Sequence, residues 1–197
     1  MTSITFSSSA FSRLTMLVFL VKSDLYRYDG ELSLRAFLRN YIHEPGFNFL
    51  VWFRVCSVFH SKFIGWLLHR KKIRFGIDIP AKTAVGEGLY IGHYGGIVIN
   101  GRSVIGKNCN ISQGVTLGIV NRGEKLGVPV IGDFVYIGPG AKIIGKIKIG
   151  NNVAIGANAV VTRDVPDNAV VVGVPARCIS FNGSAGYINN VLNGECL

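Results

Sequence analysis

At 197 residues the chain can bury one core but not two large ones. With 49% hydrophobic and 16% charged residues, and no acidic or Ser/Pro-rich tract, it is not an intrinsically disordered chain; 25 glycines, about one residue in eight, exclude a collagen-like repeat but ask for glycine at recurrent turns. The net charge of +10 is concentrated at the start, where residues 1–75 carry eleven Lys or Arg against four Asp or Glu, while residues 76–197 carry ten against seven. Such a balance suits nucleic acid, an anionic membrane surface or a phosphorylated ligand without choosing among them.

Residues 14–21 (LTMLVFLV) have the apolar character of a signal-peptide core, but only Arg13 precedes them and no small-residue cleavage site follows before Asp24. The reading is therefore cytoplasmic, and Cys56, Cys109, Cys178 and Cys196, with no CxxC and no short pair spacing, read as reduced thiols. Between Asp24 and Arg70 the pattern is helical: Leu32, Leu34, Phe37, Leu38 and Tyr41 fall near i, i+3, i+4, and His43-Glu44-Pro45-Gly46 is a stop. The apolar stretch from Phe47 to Leu68 contains Arg54, His60 and Lys62, each costly at a bilayer centre, so no transmembrane crossing is expected. Its many aromatics, closed by Arg70-Lys71-Lys72, suit helices packed on the protein or its oligomer mates, or peripheral contact with an anionic inner membrane.

From about Ile73 a six-residue period replaces the helical one. Aliphatic residues recur at Ile79, Val85 and Ile91, after a two-residue slip at Ile99, Ile105, Ile111 and Leu117, and after an interruption at Ile131, Ile137, Ile143, Ile149, Ile155 and Val161. Strand alternation would have a period of two. A period of six with glycine beside the aliphatic residue fits a triangular parallel β-helix: each flat side takes one hexad, three hexads close a coil, and stacked coils pile the aliphatic residues into a dry core. Residues 118–129 (GIVNRGEKLGVP) break the period as a loop thrown from a corner, either functional or a tolerated insertion. Pro166 and Pro175 end the coils. The expected organisation is mainly β, with a short helical N-terminal segment (1–72), the β-helix (73–179) and a polar C-terminal tail (180–197).

The segments IDIPAKTAVGEGLYIGHYGGIVI, VIGKNCNISQGVTLG, YIGPGAKIIG, AIGANAVVTRDVP and VGVPARCI resemble the hexapeptide-repeat acyltransferases, most closely the serine acetyltransferase branch, over residues 77–179. The resemblance implies a left-handed parallel β-helix, where the general crossover rule would give the opposite hand, together with a homotrimer and acetyl-CoA as donor. It places the catalytic base at His93 and its carboxylate partner at Asp78. Because a coil is eighteen residues, positions 78 and 93 fall on adjacent levels near one corner, so contact is feasible. An imidazole there would take the proton of a weak hydroxyl nucleophile as it attacks a thioester, and an aspartate would fix its tautomer. His93 is the sole histidine after residue 75, too few for a zinc site of the kind hexapeptide carbonic anhydrases use, so no metal is expected.

For CoA the resemblance implies Pro139, Ala157, Thr162, Arg163 and Arg177 between neighbouring subunits, and Gly118 N–H is a candidate for polarising the thioester oxygen. Arg163 and Arg177 suit phosphates. The family pattern also has an Asp directly before the base and an Arg-His-Pro in the loop, where this chain has Gly92 and Gly127-Val128-Pro129. Their absence would leave the ammonium and carboxylate of serine without partners. On that ground the expected activity is acetyl-CoA-dependent O-acetylation of a sugar hydroxyl in a bacterial surface polysaccharide or its precursor. Tyr90, Tyr94 and Asn100 near the base, and Asn121, Arg122 and Glu124 in the loop, are the candidate acceptor contacts. The alternatives are serine O-acetylation and a non-catalytic scaffold; no nucleic-acid motif accompanies the repeats.

Overall fold

Four helices precede the strands in the computed structural model, which describes residues 10–192; Cys196 lies outside them. Helix α1 spans Ala10–Asp29. Helix α2 (Leu34–His43) begins at Ser33, whose hydroxyl accepts the Ala36 N–H at 3.0 Å. Glu44 then closes α2 and opens α3 (Pro45–Phe59), with Pro45 in the first turn, where its missing N–H costs nothing. Helix α4 (Lys62–Phe75) stops at Gly76, whose φ of 62° is a left-handed conformation suited to glycine.

The helical period in α2 is real, but its buried face is Ala36 and Asn40, while Leu34, Leu38 and Ile42 stay exposed. Alanine permits close approach, and Asn40 bonds both Asp29 and the Ala36 carbonyl. In α4, Phe63 stacks on Trp66 at the surface with the Arg70 guanidinium 5.2 Å from the Trp66 ring. No described helix is long and apolar enough to cross a membrane.

The strands form three parallel faces. The first holds β1 (Ile77–Asp78), β4 (Ile97–Ile99), β7 (Thr116–Gly118), β10 (Lys142–Ile144) and β13 (Val160–Val161). The second holds β2 (Ala84–Val85), β5 (Val104–Ile105), β8 (Val130–Ile131) and β11 (Lys148–Ile149). The third holds β3 (Tyr90–Ile91), β6 (Asn110–Ile111), β9 (Tyr136–Ile137), β12 (Ala154–Ile155) and β14 (Val170–Val172), closed by antiparallel β15 (Arg177–Ser180). The chain visits the faces in rotation, giving a left-handed parallel β-helix. Register stacks like on like: Ile99, Leu117, Ile143 and Val161 on the first face, and Ile91, Ile111, Ile137, Ile155 and Val171 on the third, all buried. At the second-to-third corner Gly106 sits where a Cβ would lie 2.4 Å from the Gly132 carbonyl oxygen, so no side chain fits.

Three irregularities interrupt this stacking. Ile91 to Ile99 is eight residues instead of six, with the extra pair at the third-to-first corner that carries His93. Leu117 to Ile131 is fourteen, the surplus forming the loop that the Val120–Gly127 bridge closes. Val161 to Val165 is only four, which tightens the corner at Arg163.

The helices cap the first coil through buried charge. Arg54 donates to Asp24 at 2.8 and 2.9 Å and to the carbonyls of Val85 and Gly86, and Asp24 also accepts the Leu89 N–H. Burial pushes the Asp24 carboxyl up, with Arg54 opposing. Residues beyond β15 return along the third face: Ser184 is buried, Tyr187 stacks on Tyr136 at 4.2 Å, and Arg27 donates to Asn189 O, Gly88 O and Asn110 Oδ1.

Candidate functional site

His93 stands on the enlarged third-to-first corner, between Ile91 and Ile97. Gly95 and Gly96 turn this corner with φ of 99° and 66°, and Gly76 packs on them, a Cβ there lying 3.2 Å from Gly95 Cα. The last turn of α4 is thereby seated on the corner. His93 is exposed and makes no hydrogen bond or ion pair with a described residue, leaving the imidazole open to an incoming group. A Cβ on Gly92 would lie 2.9 Å from Tyr90 Oη, so the phenol occupies the space a side chain before His93 would need.

Asp78 borders the same corner but does not contact His93. Its Oδ1 lies 2.5 Å from Lys72 Nζ, and its side chain is 58% exposed. Asp78 is aligned with Val98, further along the first face than the corner itself, and the final turn of α4 supplies the lysine that engages it. Asp78, His69, Lys72 and Val98 line a hollow of about 380 Å³.

The expected CoA residues divide over the two edges of the first face. Pro139 and Ala157 follow His93 down the third-to-first edge, two and three rungs below it, or about 10 and 14 Å at the usual strand spacing. Gly118, Thr162 and Arg163 lie on the opposite, first-to-second edge. Thr162, Arg163 and Arg177 come together in a cavity of about 150 Å³ at the final coil, with Asp164 and Ala176 in its wall.

Of the expected acceptor residues, Tyr94 is at the corner, half-exposed, its ring edge-on to Phe75 at 6.1 Å. Tyr90 is half-buried against Tyr28 at 4.7 Å, and burial, followed by the charge of Glu44, raises its phenol pKa. Asn100 instead builds a turn, its Oδ1 accepting the Arg102 N–H at 3.0 Å. Asn121, Arg122 and Glu124 are exposed in the loop on the first-to-second edge, away from His93 of the same chain.

The helical layer adds groups that sequence reasoning missed. A hollow of about 270 Å³ opens beside Tyr94 between α2, α3 and α4, with Asn48, Lys71, Arg74 and Phe75 in its wall. Glu44, half-buried at the start of α3, makes no ion pair with a described residue and is close enough to Tyr90 and Tyr28 to contribute to their raised pKa values, after burial. The repeat gave no phase relation between these helices and His93; the two-residue slip at the corner was the one signal that this rung differs.

The family described as "Bacterial transferase hexapeptide (six repeats)" matches residues 129–163. A serine acetyltransferase of Synechococcus elongatus is 38% identical over 160 residues, 79% of this chain and 66% of that protein. The crystal structure of Neisseria gonorrhoeae serine acetyltransferase in complex with serine superposes with a TM-score of 0.73 at 33% identity, over 86% of this chain and 72% of that one. The chain belongs to the serine acetyltransferase family. A further family structure, a complex with CoA, gives a TM-score of 0.72 at 29% identity over 86% of this chain and 72% of that one. The chain spans just under two thirds of the Synechococcus protein's length.

This membership overturns the expected polysaccharide O-acetyltransferase, since the matched relatives carry the serine name and one holds serine. Gly92 and Gly127-Val128-Pro129, the positions that spoke against serine, all belong to the β-helix and its loop. The helical layer brings further charged and polar groups, among them Lys71, Arg74 and Asn48, to the hollow beside Tyr94.

Proposed function

We propose that the chain transfers the acetyl group of acetyl-CoA to the side-chain hydroxyl of serine. The observation that supports this most is the likeness to the serine-bound family structure, which extends over 86% of the chain and so includes the helical layer as well as the β-helix. His93 accepts the hydroxyl proton as the oxygen attacks the thioester carbonyl; the tetrahedral adduct then expels the CoA thiolate, which takes that proton back from the imidazolium. Asp78 reaches the imidazole once released by Lys72, and then holds its tautomer. Pro139 and Ala157 of one protomer, facing Gly118, Thr162 and Arg163 of the next, wall the pantetheine arm, with Arg163 and Arg177 meeting phosphates.

The working unit is a trimer. The second face turns an apolar column of Ala84, Val104 and Val130 outward, with Val104 and Val130 exposed in the single chain, a surface suited to another coil's side. The test is thiol release from acetyl-CoA with L-serine as acceptor, using the wild type and His93→Ala. Serine-dependent release that falls at least about a hundredfold in the variant, with an unchanged melting temperature, is expected. Release no faster with serine than without it overturns the assignment.

A further inference from the structure

Ile64, Leu68 and Phe75 pack α4 on the core, which leaves the opposite side of the helix with no role in building the fold. Seven residues of α4 are exposed, and at about 100° per residue they fall within roughly 140° of the helix circumference, on that one side. Three of them are large and apolar: Phe63 at 67% exposure, Trp66 at 51% and Ile73 at 72%. Three more, Lys62, Arg70 and Arg74, are cations, and none makes an ion pair with a described residue. From Lys62 to Phe75 the helix holds no Asp or Glu at all.

An outward face that is both apolar and purely basic is unusual for a helix that meets only water. The rings of Phe63 and Trp66 lie 6.1 Å apart and nearly parallel, with the Arg70 guanidinium 5.2 Å from the Trp66 ring centre, so a flat apolar body carries its charge beside it. That arrangement suits the boundary between lipid acyl chains and headgroups, where aromatic rings enter the apolar side and long basic side chains reach the phosphates. A second apolar stripe adjoins it. Leu34, Leu38 and Ile42, one turn apart on α2, are all exposed, and Ile42 borders the same hollow as Arg74.

Charge decides between a lipid surface and a second copy of this chain. A contact between two such faces would set the α4 cations against one another. The helical layer also has few carboxylates to offer them: Asp24 is buried on Arg54, Asp29 and Glu31 are paired with Arg39, and Glu44 is half-buried. An anionic bilayer supplies both complements at once, negative headgroups for the cations and an apolar layer for the rings. We propose that the outward face of α4 docks the protein peripherally on an anionic lipid bilayer, with Phe63 and Trp66 in the interface and Lys62, Arg70 and Arg74 on lipid phosphates. The protein rests on the surface without crossing it through these helices, since no described helix is long and apolar enough to span.

The experiment is co-sedimentation of the full chain with vesicles of phosphatidylcholine alone and of phosphatidylcholine with an equal share of phosphatidylglycerol. At about 0.1 M salt the protein should pellet with the anionic vesicles and stay in solution with the neutral ones, and binding should weaken as salt rises. Arg70→Gln/Arg74→Gln and, separately, Phe63→Ala/Trp66→Ala should each weaken it at least about tenfold, with unchanged melting temperatures because the replaced side chains are exposed. Tryptophan emission should shift to the blue on anionic vesicles. The aromatic variant, which keeps only Trp52 bonded to the Tyr41 hydroxyl, should show no shift. Absence of pelleting with the anionic vesicles, or full binding by either variant, overturns the docking face. Sedimentation velocity without lipid tests the other occupant: wild type and Phe63→Ala/Trp66→Ala should form assemblies of the same size, and a smaller assembly in the variant overturns the proposal in favour of a contact between copies. Serine acetylation enters none of these readings, so either conclusion can fail without the other.

Discussion

His93 illustrates how a single side chain is made available without being buried. Gly92, Gly95 and Gly96 border it in sequence, and Tyr90 fills the space over Gly92. Its place in the repeat was readable, because it is the sole histidine of the β-helix and sits at the slip in the six-residue period. The state of Asp78 was not readable. Coil arithmetic brings it to the same corner, but the lysine that engages it comes from α4, whose phase the repeat does not encode. Asp78→Asn should therefore change stability by less than about 1 kcal/mol, as befits a pair with one largely exposed partner, while lowering kcat at least about tenfold if it orients the base. Lys72→Met, which frees the carboxylate, should leave kcat unchanged or raise it. Turnover unaffected by Asp78→Asn would reduce this residue to a surface ion-pair partner.

At the level of elements, the aliphatic columns were almost completely legible. Positions 91, 99, 105, 111, 117, 131, 137, 143, 149, 155 and 161 all face inward, since a six-residue side leaves one orientation that keeps them dry. Helix existence was equally plain, and the Glu44-Pro45 break falls where proline and capping chemistry put it. Which face of α2 is buried was hidden, because Ala36 and Asn40 carry no strong hydrophobic signal and their burial is decided by α1 and α3. The joint between the two layers depends on Arg54, 2% exposed, paired with Asp24 at 1%. Arg54→Met should cost about 3–5 kcal/mol in urea denaturation by stranding the carboxylate. The double change Asp24→Leu/Arg54→Met should cost less than Arg54→Met alone. If the double variant is the less stable of the two, the pair contributes more than it costs to desolvate.

For the molecule as a whole, the sequence announced one coil axis and three sides but not how the ends meet. Residues 180–192 read as a polar tail because nothing in their composition repeats, yet Tyr187 and Ser184 lie against rungs formed by residues far earlier in the chain. Their partners, Tyr136, Phe134 and Asn152, are specified by three-dimensional stacking and leave no local pattern. The candidate CoA residues likewise show no local pattern, since they lie on opposite edges of one face.

Arg27 has a consequence for how this protein comes apart. A stack of near-identical coils behaves like a column of coins, in which the last one can peel away while the others stay. Here one guanidinium grips the opening coils at Gly88 and Asn110 and the returning chain at Asn189, knotting the bottom of the column to its lid. Removal of residues 184–197 should turn one sharp calorimetric endotherm into a broad or double one, with the earlier step coming from the coils around Val161–Val172. A single endotherm in that shortened protein would mean that the column holds itself together without the tie.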